Sequence, residues 1–268
     1  MKQLKFLFTI IFSAVMAIAI TTACAPSGTD TSTTTEGGAE STTLTMATSA
    51  DYPPYEFIDS SSGSQEIVGF DIDIARAITE ELGYALEIDN IDFNGLIPAL
   101  QSNRADFVMA GMTPTEERRQ NVDFSEIYFI AQNTIVSLAD TGLTTAEDLD
   151  GKTVGVQLGS IQEGVAQEIA GANVTALTRI SEIVQEVKVG RLDAAIIEDS
   201  VAKGFIESNP DLEFNVIPEQ GEAGSAIAFP QGSPLAAEFN PVLERMIADG
   251  TIEGLAEKWF SEAIPEES

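Results

Sequence analysis

The chain has 268 residues, 44% of them hydrophobic, which is enough for one large or two modest cores and excludes wholesale disorder. Its 43 acidic residues against 13 basic ones give a formal net charge of −30, so nucleic acid is not an expected partner, because its phosphates would be repelled. The absence of histidine excludes imidazole catalysis and His-ligated metal sites, and no metal or other cofactor is expected.

Lys2 and Lys5 precede an uncharged apolar run from Phe6 to Ile20, which has the length of an export signal and falls short of the roughly 20 residues a membrane-spanning helix needs. Residues 1–23 therefore read as a signal peptide. Cys24, in "TTACAPSG", is the single cysteine, so it makes no internal disulfide. A lone Cys directly behind an export segment resembles the lipidation site of a bacterial lipoprotein, which would anchor the chain to a membrane. Thr21 stands where such sites usually carry Leu, and ordinary cleavage by the general signal peptidase is the alternative. Residues 26–43 hold no large apolar side chain and cannot offset the entropy of ordering, so 24–43 reads as an anchor residue followed by a flexible linker.

From Leu44 the pattern changes. "LTMATS" (44–49) reads as a strand, and "FDIDIARAITEEL" (70–82) sets Phe70, Ile72, Ile74, Ala75, Ile78 and Leu82 mostly along one helical face before Gly83, a C-cap residue. "YALEI" (84–88) is a strand, "FNGLIPALQSN" (93–103) a short helix and "ADFVMA" (105–110) a buried strand. A long extended run follows over "FIAQNTIVSLAD" (129–140). A second series then alternates strands at 152–157, 173–177 and 193–198 with helices from Ser160, near 181–190 and from Asp199. Segments 214–218 and 224–230 are extended, and 234–260 is helical. Such alternation requires crossover connections and mostly parallel sheets flanked by helices. The expected fold is α/β with two lobes, 44–131 with 226–268 and 137–218, joined by hinge strands at 132–136 and 219–225. The cleft between them is the default ligand site. "QSNRADFVMAG" and "KVGRLDAAIIED" share an order of residue types, which is also the ordinary grammar of a helix-to-strand junction.

Turns at the carboxyl ends of these strands carry the candidate chemistry. In "GMTPTEERR" (111–119), Gly111 allows close backbone approach, the Thr113 hydroxyl can donate to a carboxylate, and an Arg one turn on can hold that carboxylate with both nitrogens. A plain helix start with surface arginines pairing to Glu116 or Glu117 is the alternative. "SADYPPYEF" (49–57) offers Tyr52 or Tyr55 as an aromatic wall on a Pro-stiffened loop, or simply a packed aromatic loop. "QLGSIQ" (157–162) offers the amides of Gly159 and Ser160 to an anion. "DAAIIEDS" (193–200) ends a strand with Glu198 and Asp199, of which one can cap a helix and the other can meet an ammonium group. Together these turns match the zwitterionic head of a free amino acid.

The ordered motifs "SADYPPYEF", "VGFDIDIARAITEELG", "DFNGLIPALQSNRADFVMAGMTPTEERRQNVDFSEIYF", "LDGKTVGVQLGS", "GRLDAAIIEDSVA" and "DGTIEGLAEKWF" resemble those of the family 3 extracellular solute-binding proteins, amino-acid receptors of ABC importers. The resemblance spans about Leu44 to Phe260. It implies a type II periplasmic-binding-protein-like fold, closing around one polar amino acid of the arginine or glutamine type. Position by position it implies that Arg118 and Thr113 hold the ligand carboxylate, that Gly111 reaches its ammonium, and that Tyr52 and Phe93 enclose its side chain. It brings Met112 into the same turn. In the second lobe it implies that the turn of Gly159, Ser160 and Ile161 closes on the carboxylate, that Gln157 touches the side chain, and that Glu198 binds the ammonium, leaving Asp199 as the helix cap. Ser49 stands where several relatives carry an Asp that reads a basic or amide side chain, and Glu222 lies near the second hinge crossing, where it could supply a negative contact. The resemblance further implies delivery to a membrane permease from an exported, lipid-tethered monomer with no enzymatic activity. A cyclohexadienyl-dehydratase-like enzyme on the same fold, using a cleft carboxylate as general acid, is the rival.

Overall fold

A computed structural model describes residues 42–60, 63–218 and 224–260. The signal peptide, Cys24, all but the last two linker residues, and Glu222 lie outside the described residues. Thr43, assigned to the linker by sequence, begins the first strand.

The first lobe starts with β1 (Thr43–Thr48), then a small antiparallel sheet of β2 (Asp51–Tyr52), β3 (Glu56–Asp59) and β4 (Glu66–Val68) that the sequence pattern does not announce. Next come α1 (Phe70–Leu82), β5 (Ala85–Asn90), a tight turn at Phe93–Gly95, α2 (Leu96–Gln101), β6 (Phe107–Val108), the single-turn helix α3 (Glu116–Arg119) and β7 (Val122–Phe129). The second lobe comprises β8 (Asn133–Leu138), β9 (Thr153–Gln157), α4 (Ile161–Glu168), β10 (Asn173–Leu177), α5 (Ile180–Lys188), β11 (Ala194–Glu198), α6 (Asp199–Ser208) and β12 (Leu212–Val216). The chain then returns to the first lobe as β13 (Ser225–Pro230), α7 (Leu235–Ala248) and α8 (Thr251–Phe260).

The sheet orders are β5-β1-β6-β13-β7 and β10-β9-β11-β8-β12. In each, one strand opposes the rest: β13 pairs antiparallel with β6 and β7, and β8 pairs antiparallel with β11 and β12. The reason is topological. The parallel strands point their carboxyl ends at the cleft, and β8 and β13 are the strands that enter a lobe from the other one, so they must run away from it. The outgoing crossing occupies residues 130–132, between β7 and β8. Residues 133–136, assigned to the hinge by sequence, lie inside β8, because their side chains are mostly buried in the second sheet. Asp199 fastens the crossing: its carboxylate accepts the Gln132 amide at 3.1 Å, and its own amide donates to the Gln132 carbonyl at 2.8 Å.

Helix α1 forms where the apolar spacing places it. Phe70, Ile72, Ile74, Ala75 and Ile78 are buried, and Gly83 terminates the helix in the left-handed region with φ 79°. Phe70 and Tyr55 enter an aromatic cluster with Phe129 and Phe260, the last two stacked at 4.5 Å between ring centroids. The final helix thereby packs against the end of β7, directly before the crossing. The helical stretch at 234–260 is two helices, divided at Gly250 with φ 81°.

Candidate functional site

Arg118 is held by Thr115, whose hydroxyl accepts the Arg118 amide at 3.3 Å and so caps α3. The side chain is buried at 9% exposure and reaches across the cleft. One guanidinium nitrogen donates to the Thr113 carbonyl at 2.8 Å and the other to the Gly159 carbonyl of the second lobe at 2.9 Å. The guanidinium carbon stands 5.4 Å from the centre of the Phe93 ring. Burial lowers the Arg118 pKa to about 10, partly opposed by Glu117, so the group stays cationic at neutral pH. Arg119 points elsewhere, onto the Pro114 carbonyl and over Phe124.

A narrow cavity between the lobes is lined by Tyr52, Phe93, Ala110, Gly111, Thr113 and Arg118 from the first and by Gln157, Ser160, Ile161 and Gln162 from the second. Gly111 has φ 55°, and a Cβ there would sit 3.2 Å from Tyr52 Cε1, so glycine is needed both for the turn and for the ring lying against it. Its amide donates to the Asp71 carboxylate at 2.9 Å, and the Tyr128 hydroxyl donates to the same carboxylate at 2.9 Å. Asp71, in the first turn of α1, thus fixes the loop that bears the site, and sequence reading does not single it out. Burial raises its pKa to about 7, with the Gly111 and Tyr128 hydrogen bonds pulling down.

Across these residues, from about Leu44 onward, the chain matches the family model of the bacterial extracellular solute-binding proteins, family 3, over residues 44–262. The chain belongs to this family. It is 49% identical over 223 residues to the arginine-binding extracellular protein ArtP of Bacillus subtilis (strain 168), covering 81% of this chain and 86% of that protein. Its fold is similar to the crystal structure of the substrate binding protein of an amino acid ABC transporter, with TM-score 0.80 and 41% identity over 82% of this chain and 99% of that one. It is also similar to an ancestral arginine-binding protein bound to arginine, with TM-score 0.76 and 41% identity over 81% of this chain and 98% of that one.

In this solute-binding protein some expected site residues lie off the cavity. Met112 is buried in the first-lobe core, and its carbonyl accepts the Ala226 amide at 3.0 Å. Ser49 is buried and its hydroxyl donates to Asp51 at 3.1 Å. Glu198 sits behind Tyr52: it accepts hydrogen bonds from the Tyr55 hydroxyl and from Ser200 at 2.8 Å, and a longer contact from Tyr52 at 3.5 Å. Burial raises its pKa to about 7, with the Tyr55 and Ser200 hydrogen bonds opposing. Glu56 is buried nearby with both carboxylate oxygens unpartnered among the described residues, and burial together with Asp71 pushes its carboxyl well above the usual range, which favours the neutral acid.

The 157–162 turn departs from its sequence reading in one respect. The Gly159 amide donates to Glu163 at 2.8 Å and the Ser160 amide to the Gln157 carbonyl at 3.1 Å, so neither is a free donor. The reason is local: Ser160 caps α4 by accepting the Glu163 amide, which brings the Glu163 carboxylate back over the turn. Gly159 nevertheless has a positional role, since at φ 79° its Cα lies close enough to Asn94 that a Cβ would be 3.3 Å away. Likewise Asp199 is the first residue of α6, and its carboxylate takes the Ser200 and Gln132 amides, joining helix and crossing. Ala110 and Gln162 line the cavity without having been singled out by sequence. Gln162 donates to Asn133 at 2.9 Å and so ties α4 to the hinge end of β8.

Proposed function

We propose that this family member binds one free amino acid of the arginine type between its lobes and presents it to the permease of an ABC importer, without catalysing a reaction. The observation that carries the reading is the cavity bounded by Arg118, Tyr52 and Phe93 from one lobe and Gln157 from the other. Arg118 would take the ligand carboxylate by exchanging one or both carbonyl partners for a charge-assisted bidentate pair. Glu198 would meet the α-ammonium after release from Tyr52, and the two rings suit a planar guanidinium. The Gln157 side-chain amide would serve a guanidinium or an amide equally, so glutamine is the second ligand to test. Export and a lipid tether at Cys24 complete the proposal, since a receptor that serves a permease must stay near the membrane.

Contacts made to both lobes at once are what would drive closure, because a ligand held equally well by separated lobes shifts nothing. A thermal-shift panel over the amino acids tests the reading: arginine is expected to give the largest rise in melting temperature, by mass action on the folded form. A flat panel would overturn it. Incubation with prephenate or arogenate separates it from the dehydratase alternative, which requires an ultraviolet-absorbing aromatic product.

A further inference from the structure

Helix α5 begins without a cap of its own: Arg179 occupies the N-cap position and its side chain accepts nothing from the first turn. The acceptor comes from the other lobe. The Ile180 amide donates to Asp51 Oδ2 at 2.8 Å, and the other oxygen of Asp51 is steadied by the Ser49 hydroxyl at 3.1 Å. One residue earlier, the Arg179 guanidinium stands 3.3 Å from Asp92, which follows β5. The start of β2 and the loop after β5 in the first lobe therefore grip two consecutive residues of the second lobe, and neither Asp51 nor Asp92 lines the ligand cavity.

We infer that Asp51 is a positioning residue for lobe closure, an N-cap supplied from across the cleft that forms only when the lobes meet and that sets ligand retention without touching the ligand. A side-chain oxygen at an N-cap satisfies an amide that the helix itself leaves orphaned, and here that gain belongs wholly to the closed arrangement. The Asp92–Arg179 pair contributes less, because both side chains are about half exposed, at 44% and 46%, and water screens them. Ser49 acquires a role here that differs from ligand contact. An Asp at that position would face the Asp51 carboxylate with a like charge, whereas the hydroxyl donates to it.

The inference uses the proposed cleft ligand for its kinetic readout and stands without it for the structural one. In stopped-flow measurements on the full chain with arginine, Asp51→Ala is expected to raise the dissociation rate about fivefold, the scale of a lost N-cap, while association changes less than twofold. Asp51→Asn keeps an acceptor oxygen and is expected to restore most of the retention, and Asp92→Ala to change it less than Asp51→Ala. Small-angle X-ray scattering without added amino acid supplies the second readout: Asp51→Ala is expected to increase the radius of gyration relative to wild type. If wild type binds arginine and Asp51→Ala leaves both the dissociation rate and the radius of gyration unchanged, the inference is overturned. If wild type binds no amino acid, the proposed function fails, and scattering alone decides the role of Asp51.

Discussion

Strand for strand, the first lobe's order β5-β1-β6-β13-β7 corresponds to the second lobe's β10-β9-β11-β8-β12, with the same parallel and antiparallel pairings. The correspondence reaches single residues. In the first lobe Asp106 accepts the Thr45 amide at 2.7 Å and its own amide donates back to Thr45 at 2.8 Å. In the second, Asp193 accepts the Thr153 amide at 2.8 Å and donates back to Thr153 at 2.9 Å. These aspartates are the ones in "NRADFV" and "GRLDAA", so the shared order of residue types marks one device used twice. It clamps the start of each central strand to its neighbour.

The lobes part company at the cleft ends of β6 and β11. After β6 a loop and the short helix α3 deliver the buried cation Arg118, while β11 itself ends in the buried acid Glu198 and passes straight into α6. One scaffold thus presents a base and an acid from corresponding strand ends. The lesson is that the repeated architecture supplies placement, and a few residues beyond the strand ends supply the chemistry.

Removing the charge on one side should break the comparison most severely. Arg118→Ala is expected to weaken amino-acid binding by about 2–5 kcal/mol, since the ligand carboxylate would lose its charged partner in a buried site, with the thermal transition close to wild type. Calorimetric titration alongside thermal unfolding checks it, and wild-type affinity in the variant would remove Arg118 from the site.

On the acidic side the effect is a pH dependence. Glu198 and Asp71 both have pKa values raised to about 7 in the folded chain, against ordinary carboxylate values of 4.5 and 3.8, so the folded state binds more protons than the unfolded one between those limits. Their contribution to stability is therefore fully present below pH 4 and is lost as pH rises toward about 7, on the order of 3 kcal/mol per group. Glu198→Gln should flatten that slope by its share, read from denaturant midpoints between pH 4.5 and 8. An unchanged slope would mean that Glu198 is already ionised in the folded protein.

Smaller effects should sharpen the symmetry. Asp106→Ala and Asp193→Ala each leave a strand amide without its carboxylate, and each is expected to cost about 1–3 kcal/mol of stability. Similar losses in the two variants would support equivalence, and a large inequality in chemical denaturation would deny it. Gly159→Ala is expected to cost about 1–2 kcal/mol through its left-handed backbone alone. Its contact with Asn94 should make affinity fall along with stability, whereas Gly83→Ala, at a left-handed helix end with nothing near its Cβ, should leave affinity unchanged.

Much of the fold was legible. Periodicity located α1 at 70–82 and α6 from Asp199, and apolar runs located β10 and the strands on either side of it, because these elements bury a face that their spacing already declares. The small sheet β2-β3-β4 was not legible, since two- to four-residue strands carry no period. The extended run near 129–140 was expected to pass between lobes at 132–136; in the structure β7 ends at Phe129 and β8 begins at Asn133, in different sheets although they are nearly continuous in sequence. Within the candidate site, "GMTPTEERR" offered Gly111, Thr113 and an arginine through turn chemistry that is local by nature, and the family resemblance singled out Arg118. Asp71 gave no such signal, because an acid in a helix's first turn ordinarily faces water; only the return of Gly111 and Tyr128 over α1 buries it.

By itself, then, the sequence determined most of the longer helices and strands, the doubled α/β plan and the turns that are candidates for the cleft chemistry, because each of these depends on neighbours a few positions away. Tertiary structure alone decided that Ser49 holds Asp51 rather than lining the cavity, and that Asp51 caps a helix 129 residues further along the chain. Those outcomes depend on how two lobes meet, and no local propensity encodes the distance between them.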